Sequence, residues 1–109
     1  MKIIKTTRAV TAEELKKFLD ENLNALFEKQ RQLVLKFDIR QDGYAVEISN
    51  DENYDSFLFR IEIKGLEMHV IKSEHYTDDV NVLTLEDIMN NLFLEFPGRG
   101  RIKEIEEGS

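Results

Sequence analysis

Two pairs of alternating apolar and polar segments, each pair joined through a glycine, constrain what this chain can fold into more than any other feature. In the first pair, residues 33–40 alternate with period two, which is typical of a half-buried strand, and Asp42-Gly43 follows. Asp-Gly is among the strongest signals for a tight β-hairpin. A two-residue turn there pairs Ile39 with Val46 and leaves the apolar residues of both strands on one face.

The second pair repeats this pattern around Lys64-Gly65. Residues 57–63 alternate up to the glycine, and a two-residue turn there pairs Ile61 with Met68 on one face. The two patterns together predict two β-hairpins and therefore four antiparallel strands.

An amphipathic helix is predicted on each side of the four strands. The first begins at Thr11, which forms a capping box with Glu14, and apolar residues recur at helical spacing over residues 15–27. The second is predicted to begin with a cap at Thr84 and to end before Pro97, because proline cannot continue a helix.

These elements predict an α+β fold, a two-layer sandwich in the order helix, four-stranded antiparallel meander of two β-hairpins, helix. Residues 50–56 are too few for a crossover helix, so the hairpins join as neighbours. Ile3 and Ile4 indicate an extra short N-terminal edge strand whose pairing stays open. We expect residues 1–98 to form a single α+β domain and residues 99–109 a loosely attached C-terminal tail.

Composition narrows the function classes. The 109 residues include no cysteine, which excludes disulfides and thiol nucleophiles and fits a reducing compartment, so we expect a cytoplasmic protein. No stretch approaches the roughly 20 apolar residues of a membrane span. Fifteen basic and 22 acidic residues leave a net charge of −7, which disfavours general affinity for nucleic acid and favours basic partners.

The first candidate site is an acidic rim formed by two loops. In a meander, residues 50–56 and 73–79 leave the sheet at the same end, so their charges add. Such a rim suits a cation or a basic partner surface, whereas the simpler interpretation is that polar loops keep a small protein soluble. The acidic rim comprises Asp51, Glu52, Tyr54, Asp55, Glu74, His75, Tyr76, Asp78 and Asp79.

Part of this rim has the spacing of an EF-hand calcium loop. Asp51, Asn53 and Asp55 alternate and Glu62 follows, as the oxygen ligands of that loop do. Ser56 stands where the loop needs glycine for its sharp turn, and both flanks are predicted to be strands where the motif has helices. We therefore assign no metal site here.

The second candidate is the sheet face that the helices leave open. The predicted register places Arg60 directly across from His69, a row that would hold an anionic ligand or support acid–base chemistry. It also sets two pairs of like charges across from each other, which would need a countercharge: Asp38 with Glu47, and Glu62 with Glu67. A flat, partly apolar face suits self-association, the alternative being a solvated face. The predicted sheet-face or dimer contacts are Arg40, Leu58, Arg60, His69 and Ile71.

The sequence contains no motif of an enzyme, so no catalytic residue and no cofactor is assigned. The first hypothesis is a non-catalytic protein-interaction or regulatory protein that forms a homodimer and has no membrane contact. The alternative is a small ligand-binding or enzymatic domain that uses Arg60, His69 and neighbouring carboxylates. A nucleic-acid module comes third, because it requires five scattered basic residues to converge despite the net charge. These residues are Lys2, Lys5, Arg8, Arg99 and Arg101.

Overall fold

The computed structural model describes residues 2–32, 35–76, 78–96 and 102–107. Within these ranges the chain forms an α+β fold with two helices and six strands. In chain order the elements are β1 (Lys2–Thr6), α1 (Ala12–Arg31), β2 (Asp38–Asp42), β3 (Ala45–Ser49), β4 (Phe59–Lys64), β5 (Glu67–Lys72), α2 (Val80–Glu95) and β6 (Ile102–Glu107).

The strands form one antiparallel sheet in the order β2-β3-β4-β5-β1-β6. The α+β class is confirmed, whereas the predicted count of four strands is wrong. Strand β1 lies inside the sheet and not at its edge, because Ile4 pairs with Met68 on one side and with Ile105 on the other. Part of the predicted C-terminal tail, Ile102–Glu107, is therefore the sixth strand. Residues 97–101 and 108–109 lie outside the described residues.

Both hairpin turns occur one residue later than predicted. The residues between the paired strands are Gly43 with Tyr44 and Gly65 with Leu66, and both glycines have φ of 60°. With the predicted turns, Asp42 or Lys64 would occupy the first central position of a type I′ turn, which requires positive φ at both central residues. The observed turns need positive φ only at glycine, as in a type II′ turn, and avoid that strain.

The later turns shift both registers by two residues. Ile39 pairs with Ile48 and not with Val46, and Ile61 pairs with Val70 and not with Met68. A shift of two residues keeps every side chain on its predicted face. Within the regular strands, the prediction of which residues face the core therefore holds, while the prediction of which residues face each other is wrong.

Leu58 departs from the predicted alternation. Its amide donates to the Ile48 carbonyl over 2.8 Å, although the Cα partner of Ile48 is Phe59. Two successive residues therefore oppose one, as in a β-bulge. Leu58 and Phe59 are both buried in the core, so the prediction that Leu58 lies on the open sheet face is wrong.

The first helix begins where the sequence predicts. The Thr11 hydroxyl accepts a hydrogen bond from the Glu14 amide over 3.1 Å. The Glu14 carboxylate pairs with Arg8 at 2.7 Å. Gln32 closes the helix in the left-handed conformation, and its amide donates to Glu28.

The second helix begins five residues earlier than predicted. Its cap is Asp79, whose carboxylate accepts from the amides of Asn81 and Val82 over 2.8 and 3.1 Å. Thr84 lies inside the helix, with its hydroxyl bonded to the Val80 carbonyl. One aspartate thus satisfies two of the free amides of the first turn.

Both helices cover the same face of the sheet and run antiparallel to each other. Arg31 near the end of α1 bonds to Asn81 near the start of α2, and the rings of Phe18 and Phe96 lie 4.9 Å apart at the other end. Inward side chains of the helices and the sheet form one buried cluster, whose largest members include Phe27, Phe59 and Phe93. In the described residues, neither helix is long and apolar enough to cross a membrane.

A side-chain bridge joins α1 to the segment before β2. Asn24 donates to the Phe37 carbonyl over 3.0 Å and accepts from the Phe37 amide over 2.7 Å. The amide group of Asn24 thus satisfies both backbone groups of a buried residue, as a neighbouring strand would. The predicted strand over residues 33–40 is regular only from Asp38, and Leu33 and Val34 lie outside the described residues.

Candidate functional site

The sheet face away from the helices, here called the open face, carries most of the charged residues of the strands. Cross-strand partners project to the same side of a sheet, so the observed register defines its members. On the described strands these are Ile3, Lys5, Asp38, Arg40, Asp42, Ala45, Glu47, Ser49, Arg60, Glu62, Lys64, Glu67, His69, Ile71, Glu104 and Glu106.

Arg60 lies at the centre of an ion-pair cluster on this face. Its Nη1 contacts the carboxylates of Glu47 and Asp42, the latter at 3.2 Å, and its Nε contacts Glu62 at 3.3 Å. The guanidinium is 24% exposed, and these carboxylates, with the hydrogen bond to Glu47 first, raise the pKa of Arg60 above its ordinary value. Because three carboxylates already contact this cation, an incoming anion would meet their repulsion.

The predicted pairs of facing carboxylates do not form. Glu47 lies between Arg40 and Arg60 in the observed register, Glu67 faces Lys64, and Glu62 faces His69. The two-residue shift of both hairpins is the reason, since Asp38 now faces Ser49 and each of the three glutamates faces a cation or a histidine. The open face therefore neutralises much of its own charge.

The predicted row of Arg60 and His69 is also wrong. Arg60 has Ile71 as its Cα partner, while His69 lies between Glu62 and Ile3. The His69 ring is 14% exposed and its Nε2 lies 2.8 Å from a Glu67 oxygen. An enzyme-like site would combine Arg60 and His69, but the two residues contact different carboxylates.

At the end of the open face away from β2, β1 pairs with β6, and local sequence patterns do not predict this pairing. Lys5 on β1 contacts Glu106 at 2.9 Å and Glu104 at 3.7 Å on β6. The hydrogen bond to Glu106, followed by its charge, raises the pKa of Lys5. Sequence reasoning named Lys5 only as a basic residue and missed its pairing with Glu104 and Glu106, because the two strands are at opposite ends of the chain.

The open face has a net negative charge. Of its described side chains, four are cations and seven are carboxylates, which leaves −3 when His69 is neutral. The cations are Lys5, Arg40, Arg60 and Lys64, and the carboxylates are Asp38, Asp42, Glu47, Glu62, Glu67, Glu104 and Glu106. A positively charged surface is therefore the electrostatic complement of this face.

The structure brings together the two segments of the acidic rim. The Tyr54 hydroxyl donates to Asp79 over 3.0 Å, the Asp55 amide donates to the Tyr76 hydroxyl over 2.9 Å, and the two tyrosine rings meet edge to face at 4.8 Å. Tyr54 is buried, and this burial, with Asp79, raises the pKa of its hydroxyl. Tyr54 and Tyr76 thus connect the two loops to each other, and we call this pair the loop clamp.

Other rim residues are also held within the protein. Asp79 caps α2, and Asp51 pairs with Arg40 at 2.8 Å. The remaining rim residues are exposed: Glu52, Asp55, Glu74, His75 and Asp78. Among the described residues, no three histidine, aspartate or glutamate side chains are grouped to hold a metal ion.

The basic residues required for a nucleic-acid interface lie apart where the structure describes them. Lys2 reaches Asn90 on the helix side of the sheet, whereas Lys5 lies on the open face. Arg8 pairs with Glu14 at the start of α1. Arg99 and Arg101 are outside the described residues. Lys2, Lys5 and Arg8 therefore do not form one patch.

Comparison of the chain with protein-family models, curated proteins and solved structures finds no significant match. We therefore infer function from the geometry of the open face.

Proposed function

We propose that this chain is a non-catalytic protein-interaction domain whose open face binds a positively charged surface of a partner protein. The observation that carries the proposal is that the described helices cover one side of the sheet and leave a continuous, net-negative side of six strands. Residues on regular strands are held more rigidly than residues on loops, which favours this face over the acidic rim. The absence of cysteine fits a reducing compartment, and we propose the cytoplasm.

The size of the open face supports a transient contact. Six strands spaced about 4.8 Å apart span about 24 Å, and strands of five or six residues are about 17–20 Å long. The flat area is then about 400–500 Å², below the roughly 800 Å² that each partner contributes to a standard interface. Such an interface is typical of weak, reversible complexes.

The charge of the face determines the kind of partner. Surface ion pairs contribute little affinity, but a charged face speeds the encounter with a surface of opposite charge. Binding through this face should therefore be fast and strongly reduced by salt.

Two copies of the chain are poor partners through this face. Each copy would bring a net charge of −3 to the other, and Leu58, one of the apolar residues expected there, is buried. Among the described strands β2 and β6 are the outer ones, and we propose their edges as the better site for a homodimer contact.

The proposal can be tested by titrating the isotopically labelled protein with an octalysine peptide and following backbone amide shifts. The largest shifts are expected at amides of the six strands, with the dissociation constant rising steeply with salt. Glu104→Lys on the open face should raise the dissociation constant about threefold. Glu52→Lys on the acidic rim changes the net charge equally and should have a smaller effect.

A larger effect of Glu52→Lys than of Glu104→Lys would place the contact on the acidic rim and refute the proposal. So would shifts confined to residues 50–56 and 73–79.

A further inference from the structure

One corner of the open face exposes an aromatic ring. Tyr44 follows Gly43 in the turn between β2 and β3, and 85% of its surface is exposed. The equivalent residue of the turn between β4 and β5 is Leu66, which is 51% exposed. Tyr44 borders a concavity of the open face.

This concavity forms around Ala45, which has the smallest side chain of the open face. Ala45 lies in one cross-strand row between Asp42 and Glu62, so a methyl group separates two carboxylates. The concavity has a volume of about 290 Å³ and is also bordered by Tyr44, Ile63 and Lys64. Ligand pockets for drug-sized molecules begin at roughly 300 Å³. The space therefore suits one side chain better than a cofactor.

We propose that this corner binds an arginine or lysine side chain of the positively charged partner, with the cation against the Tyr44 ring and its N–H groups at Asp42. The proposal rests on the proposed function and identifies its main contact. An aromatic face attracts a cation, and a carboxylate accepts up to about four hydrogen bonds. The Asp42 side chain is 72% exposed and contacts Arg60 at 3.2 Å, so it retains accepting capacity.

The same contacts disfavour an anion at this corner. Three carboxylates surround the guanidinium of Arg60, and the Lys64 ammonium lies 3.7 Å from Glu62. An anion would compete with these carboxylates for both cations, and it would enter a face of net negative charge. A cation is favoured at this corner, because the Tyr44 ring and the Asp42 carboxylate are accessible from solvent.

The test uses two peptides of the same shape, blocked Gly-Arg-Gly and blocked Gly-citrulline-Gly, added to the labelled protein. The arginine peptide should shift the amides of Asp42, Tyr44 and Ala45 with saturation, whereas neutral citrulline should not. Tyr44→Ser should raise the dissociation constant of the arginine peptide about two- to fivefold, the range of an exposed cation–π contact. Leu66→Ser removes the matched exposed residue from the other turn and should leave the constant unchanged.

Equal binding of the two peptides, or equal effects of Tyr44→Ser and Leu66→Ser, would overturn the inference. Saturable shifts at the same amides with inorganic phosphate, but not with arginine, would show an anion site and overturn it as well. If octalysine still binds the open face in any of these cases, only the corner contact fails and the proposed function stands. If octalysine does not bind the open face, the proposed function fails too.

Discussion

Replacing Arg60 with methionine should destabilise the protein although the residue lies on the solvent side of the sheet. Methionine keeps an unbranched apolar stem and removes the cation that holds Glu47, Glu62 and Asp42. An exposed ion pair contributes about 0.2–1 kcal/mol. Glu47 and Glu62 are 30% and 31% exposed, so their pairs with Arg60 belong near the upper end of that range, while Asp42 is 72% exposed and belongs near the lower end. The expected loss is about 1–2.5 kcal/mol, a large part of the ~5–15 kcal/mol typical of a domain.

Arg40→Met provides the matched control for this prediction. Arg40 lies in the same cross-strand row, on the other side of Glu47, and pairs with Asp51 and Asp38. Its side chain is 60% exposed, as is that of Asp51, so water screens these pairs and the expected loss is below about 0.5 kcal/mol.

Urea denaturation followed by far-ultraviolet circular dichroism would measure both losses. The midpoint should fall for Arg60→Met with an unchanged dependence on urea concentration, which shows that the denatured state is the same. In 1 M salt, where the screening length is about 3 Å, the loss for Arg60→Met should decrease. Equal losses for the two variants, or a loss that grows with salt, would refute the view that Arg60 is an electrostatic centre of the open face.

Three further predictions concern the core and the loop clamp. Asn24→Ala should lower the free energy of unfolding, measured in urea, by about 1–3 kcal/mol because it removes two hydrogen bonds to Phe37. Asn22→Ala loses one hydrogen bond within its own helix and should cost less. A larger loss for Asn22→Ala would contradict the bridge between Asn24 and Phe37. Phe59→Ala should lower the free energy of unfolding by about 3–5 kcal/mol, and an unchanged midpoint would contradict its burial. Burial raises the pKa of Tyr54, so this tyrosine ionises first in the unfolded chain and the free energy of unfolding should fall as pH rises above ~10. Tyr54→Phe should show a weaker fall with pH. An equal fall in this variant would show that another group is responsible.

The candidate surface could be predicted only in outline from the sequence. Alternation identified Arg40, Arg60, His69 and Ile71 as open-face residues, because successive strand residues project to opposite sides. It misplaced Leu58, since a bulge brings two successive residues to one side. The cross-strand neighbours within each hairpin were also predicted wrongly, because a shift of two residues preserves the faces and changes every neighbour.

By itself, the sequence determined the features that depend on residues close together in the chain. The cap at Thr11 spans three residues, and the sheet faces follow from the identity of adjacent residues. Even locally, the position of a turn depends on which residue can adopt positive φ, and this criterion selects Gly43 and Gly65 as the first residues of both turns.

Only the tertiary structure decided the places of β1 and β6 in the sheet. Backbone hydrogen bonds between strands are chemically alike, so nothing in β1 or β6 alone specifies its neighbours. The burial of Ile4 against Met68 in an interior strand and the pairing of Lys5 with Glu106 depend on strands that meet only after the whole chain has folded. The charge of the open face, and with it the proposed partner, is therefore a property of the assembled sheet.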